Sequence, residues 1–171
     1  MSLPAAESPA ERDTRLAHAW NVLGLVMDPE IPVLSVLDLG VIHFVELTEN
    51  GVRVGLTPTY SGCPATRVIS QSVQQALGAN GFAEVEVKEV LSPPWSSADI
   101  TEAGRAKLEA FGIAPPSRPV RSLGELAGRP RRCPHCHGTD TECLSEYGST
   151  PCKALYRCRT CREPFDYFKC L

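Results

Sequence analysis

Two Cys-x-x-Cys pairs, Cys133-Pro134-His135-Cys136 and Cys158-Arg159-Thr160-Cys161, stand twenty-one residues apart near the end of this 171-residue chain. Each pair sets two thiols on one tight turn, able to take two corners of a tetrahedron, and two such turns complete a set of four thiolate ligands. The gap slightly exceeds the roughly fifteen to twenty residues usual between such pairs, a surplus that a small hairpin absorbs. A segment of about forty residues with few large apolar side chains needs a staple, and metal binding supplies folding energy. Disulfides and unligated buried thiols are the alternatives. Four thiolates favour zinc, although iron in a rubredoxin-like site satisfies the same spacing. With four ligands and no open position, the site is expected to be structural rather than catalytic, the core of a C-terminal zinc ribbon.

Seven of the eight cysteines lie beyond residue 132. Charge divides in the same place: eight basic against five acidic residues from Arg129 onward, nine against fifteen before it. An acidic body with a basic, cysteine-rich tail implies two parts. The stretch 114–130, with four prolines and few large apolar side chains, reads as a linker. The expected organisation is a domain over 10–113, a linker over 114–130 and the ribbon over 131–171. The tail's small basic excess, including Arg131, Arg132, Arg157, Arg159 and Arg162, is too slight to argue for nucleic acid. No apolar run approaches the eighteen residues of a membrane span. The first ten residues lack a basic stretch followed by an apolar one, so a cytoplasmic location is expected. In a reducing compartment, paired cysteines read as metal sites.

In the body, Ser8-Pro9-Ala10-Glu11 has the form of a capping box with proline at the first helical position. Leu16, Trp20, Leu23 and Met27 follow on one helical face, and Asp28-Pro29 is expected to end the helix. Leu34 to Gly40 reads as a short helical turn. Val41–Leu47 and Val52–Leu56 read as strands joined through Asn50-Gly51. Pro64 opens a second long helix running to about Leu77, with Ala65, Val68, Ile69, Val73 and Ala76 inward. Glu84–Val90 alternates as a half-exposed third strand, and Asp99 is expected to cap a helix from 99 to 111. The fold class is therefore α+β: a small α/β sandwich of about three strands with helices packed on the sheet, followed by the ribbon.

Cys63 is the lone cysteine of the body and sits just before a predicted helix, where helix amides favour a thiolate able to hold a soft metal or cluster iron. A buried cysteine capping a packed helix is the plainer alternative. Asp38 is a turn-stabilising carboxylate or a functional acid. His18 and His43 read as a solvated and a half-buried residue. His135 and His137 read as solvated neighbours of the ligands. Cys143, Cys152 and Cys170 are left over, and Cys143 and Cys152 read as buried small hydrophobes. No Ser/His/Asp array, P-loop, G-x-G-x-x-G or paired-carboxylate signature is present, so spacing offers no argument for an enzyme.

Further motifs carry a resemblance. Asp28-Pro29-Glu30-Ile31-Pro32, Val36-Leu37-Asp38-Leu39-Gly40-Val41 and Thr57-Pro58-Thr59-Tyr60-Ser61-Gly62-Cys63-Pro64 resemble the SufT-type domain of iron–sulfur assembly factors. Together with Leu91-Ser92-Pro93-Pro94-Trp95, Tyr147-Gly148-Ser149-Thr150-Pro151-Cys152-Lys153-Ala154 and Glu163-Pro164-Phe165-Asp166-Tyr167-Phe168-Lys169, they resemble the PaaD (also called PaaJ) family of phenylacetate catabolism. Two departures are a missing second aromatic after Trp95, where Ser96-Ser97-Ala98-Asp99 stands, and proline at Pro151.

The resemblance implies a non-catalytic accessory of the multicomponent phenylacetyl-CoA oxygenase, the ring 1,2-epoxidase, assisting iron–sulfur cluster assembly or insertion in its reductase component. A structural subunit without cluster chemistry is the alternative. The resemblance makes Cys63 a functional thiol, with Asp38, Thr57 and Thr59 lining the same site. It also implies a transient iron–sulfur cluster there and oxygenase components as partners. One thiolate cannot hold a cluster that needs four ligands. A homodimer or a partner protein would have to complete it.

Overall fold

The structure, a computed structural model, describes residues 8–116 and 131–169. The body opens with α1 (Pro9–Leu23), held by the expected capping box: the Ser8 hydroxyl accepts from the Glu11 amide, and Glu11 accepts from the Ser8 amide at 2.8 Å. This helix stops at Leu23, five residues before Asp28. Gly24 and Leu25 turn instead, and Met27 makes an isolated antiparallel bridge to Ser35. The buried face of α1 is Ala19, Val22 and Leu23, while Met27 stays exposed.

The short helix α2 (Val36–Leu39) ends at Gly40, whose φ of 72° lies in the left-handed region. A Cβ there would also stand 2.2 Å from the Asp99 carbonyl oxygen, so only glycine fits. Strands β1 (Ile42–Leu47) and β2 (Gly51–Leu56) form the antiparallel hairpin signalled by Asn50-Gly51. Gly51 is needed for a further reason, because a Cβ would come within 1.8 Å of the Glu84 carbonyl oxygen on the neighbouring strand. Helix α3 (Ala65–Ala79) crosses over and returns the chain as β3 (Glu84–Glu89), parallel to β2. The sheet order is β1-β2-β3. Helix α3 buries Ala65, Ile69, Val73 and Leu77 against it, leaving Val68 on the outside.

Helix α4 (Glu102–Ala110) begins later than expected. Thr101 caps it by accepting from the Gly104 amide at 3.0 Å, and Asp99 instead closes the preceding turn by accepting from the Ser96 amide. Ile113 and Ala114 then form β4, so residue 114, read as linker, belongs to a strand. Most of the expected linker, 117–130, lies outside the described residues.

The ribbon holds β5 (Thr141–Ser145), β6 (Lys153–Cys158) and β7 (Pro164–Phe168), each antiparallel to the next, with β4 added parallel to β7. Its own small core is Cys133, Ala154, Cys158, Phe165 and Tyr167 with Ala114. Phe168 and Cys152 belong instead to the core of the body. The Phe168 ring lies 6.3 Å from Trp95, whose indole N–H donates to the Leu39 carbonyl at 2.9 Å. The α+β body and the ribbon thus share one apolar seam, with β4 as a second connection.

Candidate functional site

The ribbon cluster is the tighter of two thiol sites. Sγ atoms of Cys133, Cys136, Cys158 and Cys161 all lie within 4.8 Å of one another. Two of the separations are 3.8 Å (Cys133 to Cys161) and 3.5 Å (Cys136 to Cys158). A zinc ion with bonds of about 2.3 Å would set tetrahedral sulfurs about 3.8 Å apart, so the donor set fits zinc. Both turns share one backbone pattern. The Cys133 amide donates to the Gly138 carbonyl and the Cys158 amide to the Glu163 carbonyl. The residue after each second cysteine, His137 (φ 61°) and Arg162 (φ 66°), is left-handed.

Crowding splits the thiols. The Cys161 amide and neighbouring donors draw the Cys158 thiol down to about 6. The Glu163 amide lowers Cys161, but burial and the sulfurs around it outweigh this and push it up to about 12. Four thiolates cannot share this volume without a cation to neutralise them.

The second site surrounds Cys63. It is a small, partly open cavity of about 20 Å³, room for roughly one water-sized occupant. Asp28, Glu30, Thr57, Thr59, Cys63 and Cys152 bring polar groups to it, and Ile31, Leu39, Val41, Leu56, Ile69 and Phe168 are among its apolar walls. On its other side Cys63 borders an open groove of about 420 Å³ with Thr66, Arg67 and Gln71. Tyr60 hydrogen-bonds the Cys63 thiol, and burial together with that thiol pushes the phenol up to about 12, keeping it a donor at neutral pH. Burial pushes the Asp28 carboxyl up, against amide bonds from Ile31 (2.6 Å) and Glu30 (2.9 Å) and the charge of Lys153. The Cys152 thiol, pushed up to about 11 chiefly by burial, lies 3.6 Å from Glu30 Oε2.

Comparison with known proteins bears on both parts of the chain. Residues 117–169 match the PaaD zinc beta ribbon domain, and residues 16–91 match a family described as iron–sulfur cluster assembly protein. Over 152 residues the chain is 45% identical to an Escherichia coli protein named as a putative subunit of 1,2-phenylacetyl-CoA epoxidase, covering 89% of this chain and 91% of that one. The chain belongs to the PaaD family. A crystal structure of a domain of unknown function, DUF59, from Bacillus anthracis superimposes with a TM-score of 0.55 at 27% identity, covering 59% of this chain and 97% of the other.

In this PaaD-family chain the four ribbon cysteines gather, within the matched zinc ribbon, a donor set able to hold a metal. Thr57, Thr59 and Cys63 meet at the body cavity. Asp38 does not line it. Its carboxylate closes a capping box with Ser35 at 2.8–2.9 Å and takes the Lys107 ammonium at 2.6 Å. Burial pushes this carboxyl up, but Lys107 and Ser35 outweigh it and hold the group below its ordinary value. Asp38 is a cap that fixes α2 and α4. The carboxylates that do reach Cys63's cavity, Asp28 and Glu30, stand in the Asp28-Pro29-Glu30-Ile31-Pro32 turn.

Cys152 is the cavity residue that sequence reading missed. It is buried, but beside Cys63 rather than in the ribbon. Cys143, expected to be buried, is exposed on β5. The His18 ring hydrogen-bonds the Asn80 carbonyl and stacks on Phe82, His43 is exposed, and His137 faces Glu109 at 3.3 Å. Cys170 lies outside the described residues. No described helix is long and apolar enough to cross a membrane.

Proposed function

We propose that this chain is a non-catalytic maturation factor for the multicomponent oxygenase that epoxidises phenylacetyl-CoA. Its cargo is iron for the iron–sulfur cluster of the reductase component, handled at Cys63. The oxygenase relative's name and the assembly-family match over residues 16–91 support this reading. The observation that carries it is the position of Cys63 within that matched segment. Its thiol borders a small, mostly apolar cavity on one side and a wider groove on the other, so it can pass a metal between that cavity and a docked acceptor. Thr57 and Thr59 stand on the loop that brings Cys63 there. The ribbon, stapled by zinc, acts as the docking module, and the oxygenase components are the partners, working in the cytoplasm. Free thiols at both sites suit that reducing compartment.

The test is metal and sulfide analysis of the reductase purified from cells that carry this chain, lack it, or carry Cys63→Ala. The expected result is a reductase with full iron and acid-labile sulfide only beside the wild-type chain. A second reading, a structural component of the complex without cluster chemistry, is favoured by the relative's being named as part of the epoxidase itself. It predicts stoichiometric co-purification with the oxygenase and full reductase iron in all three strains. That result would sink the maturation reading.

A further inference from the structure

A single thiolate is a poor iron site, and the body offers only Cys63. The fold supplies a second thiol from the ribbon. The turn between β5 and β6 is closed by the Gly148 amide on the Lys153 carbonyl (2.8 Å) and the Lys153 amide on the Thr150 carbonyl (3.1 Å). It carries Cys152 into the body, and the Lys169 amide pins the Cys152 carbonyl at 2.9 Å. There Cys152 is 6% exposed, with its sulfur 3.0 Å from Thr150 Oγ1 and 3.6 Å from Glu30 Oε2.

Two observations mark a ligand site rather than packing. First, Thr57 is 5% exposed and lines the cavity, yet its Oγ1 has no hydrogen-bond partner among the described residues. Buried polar atoms are nearly always satisfied, and an orphan hydroxyl on a residue lining this cavity calls for an occupant. Second, two thiols and two carboxylates converge on an otherwise apolar space of about 20 Å³. Asp28 Oδ1 is committed to the Glu30 and Ile31 amides, so it orients the turn. Glu30, whose Oε2 lies 3.6 Å from the Cys152 sulfur, is the carboxylate placed to bind beside it.

We propose that Cys63, Cys152 and Glu30 form a composite site for one ferrous ion, with the Thr57 hydroxyl as a further oxygen donor. The inference rests on the function proposed above for its choice of iron. The donor set itself selects a borderline-soft divalent ion. On binding, each thiol releases its proton to solvent and forms a sulfur–iron bond, and no electron moves. One ion rather than a cluster is assigned, since a cluster needs four ligands and this cavity offers two thiols. The missing ligand therefore comes from this chain's own tail, with no second copy required. Among the described residues, the ribbon cysteines are the only group of three or more such donors gathered within 4.8 Å of one another. The donors around Cys63 are set wider and must close on the ion, which suits cargo that is handed on through the groove.

The test uses the full zinc-loaded chain under anaerobic conditions, titrated with ferrous iron and, as a spectroscopic probe, with cobalt(II). The wild type is expected to take one further ion per chain, with sulfur-to-cobalt charge-transfer absorption. Cys63→Ser and Cys152→Ser should each weaken binding about tenfold or more and roughly halve that absorption. Glu30→Gln should weaken binding by a similar factor and leave the absorption intact. Zinc must stay at one per chain throughout; if Cys152→Ser loses it, Glu30→Gln carries the test. Cobalt binding by Cys152→Ser or Glu30→Gln at wild-type affinity, or no further ion in the wild type, overturns the composite site. Reductase iron in cells reports separately on the maturation reading, which survives those outcomes if Cys63→Ala still lowers it.

Discussion

In the ribbon, four sulfurs rise from two matching turns of one small sheet, already at the separations a tetrahedral ion needs. Around Cys63, the donors come from three distant stretches: Glu30 before α2, Cys63 before α3, and Cys152 in the tail. The first arrangement can hold a metal permanently, because ligand geometry is satisfied on arrival and no position stays open. The second is sparse, mostly apolar and split across a seam, and its thiol from the tail is held in the neutral form by burial. Tight gathering makes a staple, whereas donors contributed across a seam make a site whose occupancy depends on how two parts of the chain meet.

The comparison predicts an asymmetry, and its largest effect lies in the ribbon. Cys158→Ser should drop zinc from one per chain to near zero and unfold the tail, since structural zinc contributes roughly 10–16 kcal/mol in small modules. Because Cys152 rides on that tail, the second site should fail with it. Cys63→Ala should leave zinc and fold intact. Zinc analysis and limited proteolysis of the two variants read this directly. A protease-resistant tail in Cys158→Ser would break the comparison.

Next comes the seam. Phe168 is 1% exposed and sits in the body core, so Phe168→Ala should cost about 3–5 kcal/mol. Here the zinc should remain, while hydrogen exchange around Cys152 rises and cobalt binding at the second site weakens. Loss of zinc alongside would show that the ribbon cannot fold without its dock.

How these parts were legible follows from what each depends on. The ribbon ligands were readable because a metal turn is local: Cys-x-x-Cys carries its geometry within four residues. The body elements were readable for the same reason, from the Ser8 capping box to Asn50-Gly51. Errors fell where tertiary contacts decide. The end of α1 moved from Asp28 to Leu23 because Met27 is taken by a bridge to Ser35. The cap of α4 moved from Asp99 to Thr101 because Asp99 is engaged by the Ser96 amide. Asp38 resembled a site acid in its motif, but Lys107, sixty-nine residues on, claims it. Cys152 had no spacing signal at all. Its partner Glu30 is 122 residues away, and only folding brings the two together.

The two carboxylates separate structure from chemistry. Asp38→Ala should cost about 2 kcal/mol by removing a cap and leaving buried donors unpaired, with no effect on metal binding. Glu30→Gln should do the reverse. The Lys107 ammonium is about half exposed, so most of that cost belongs to the Ser35 cap. The sign with pH follows from the lowered Asp38 carboxyl. Its charge contributes stability above the unfolded value near 3.8, and that contribution is lost as pH falls through the lower folded value. Urea midpoints of wild type and Asp38→Ala should therefore converge in acid.

The smallest effect tests whether the second site is held neutral when no metal is added. The Cys152 thiol is raised from 9.0 to about 11 in the folded chain, chiefly by burial, with Glu30 and Asp28 adding to it and Thr150 opposing. Cys63, Tyr60 and Lys153 are the other titratable groups nearby. Between those two values the unfolded chain has lost a proton that the folded chain keeps, so stability falls as pH rises from about 9 to about 11. Tyr60, raised from 10.0 to about 12, adds a decline of the same sign at slightly higher pH. Urea midpoints of the zinc-loaded protein at about pH 8.5 and about pH 10.5, wild type beside Cys152→Ser, measure the Cys152 contribution alone. A decline that is shallower in Cys152→Ser is the expected outcome. An added divalent ion should reverse it, because the ion replaces the proton as the partner of the sulfur and binds better as pH rises. Equal slopes in the two proteins would mean that Cys152 ionises as freely folded as unfolded, and the contrast between a preformed staple and a site awaiting its ion would lose its electrostatic basis.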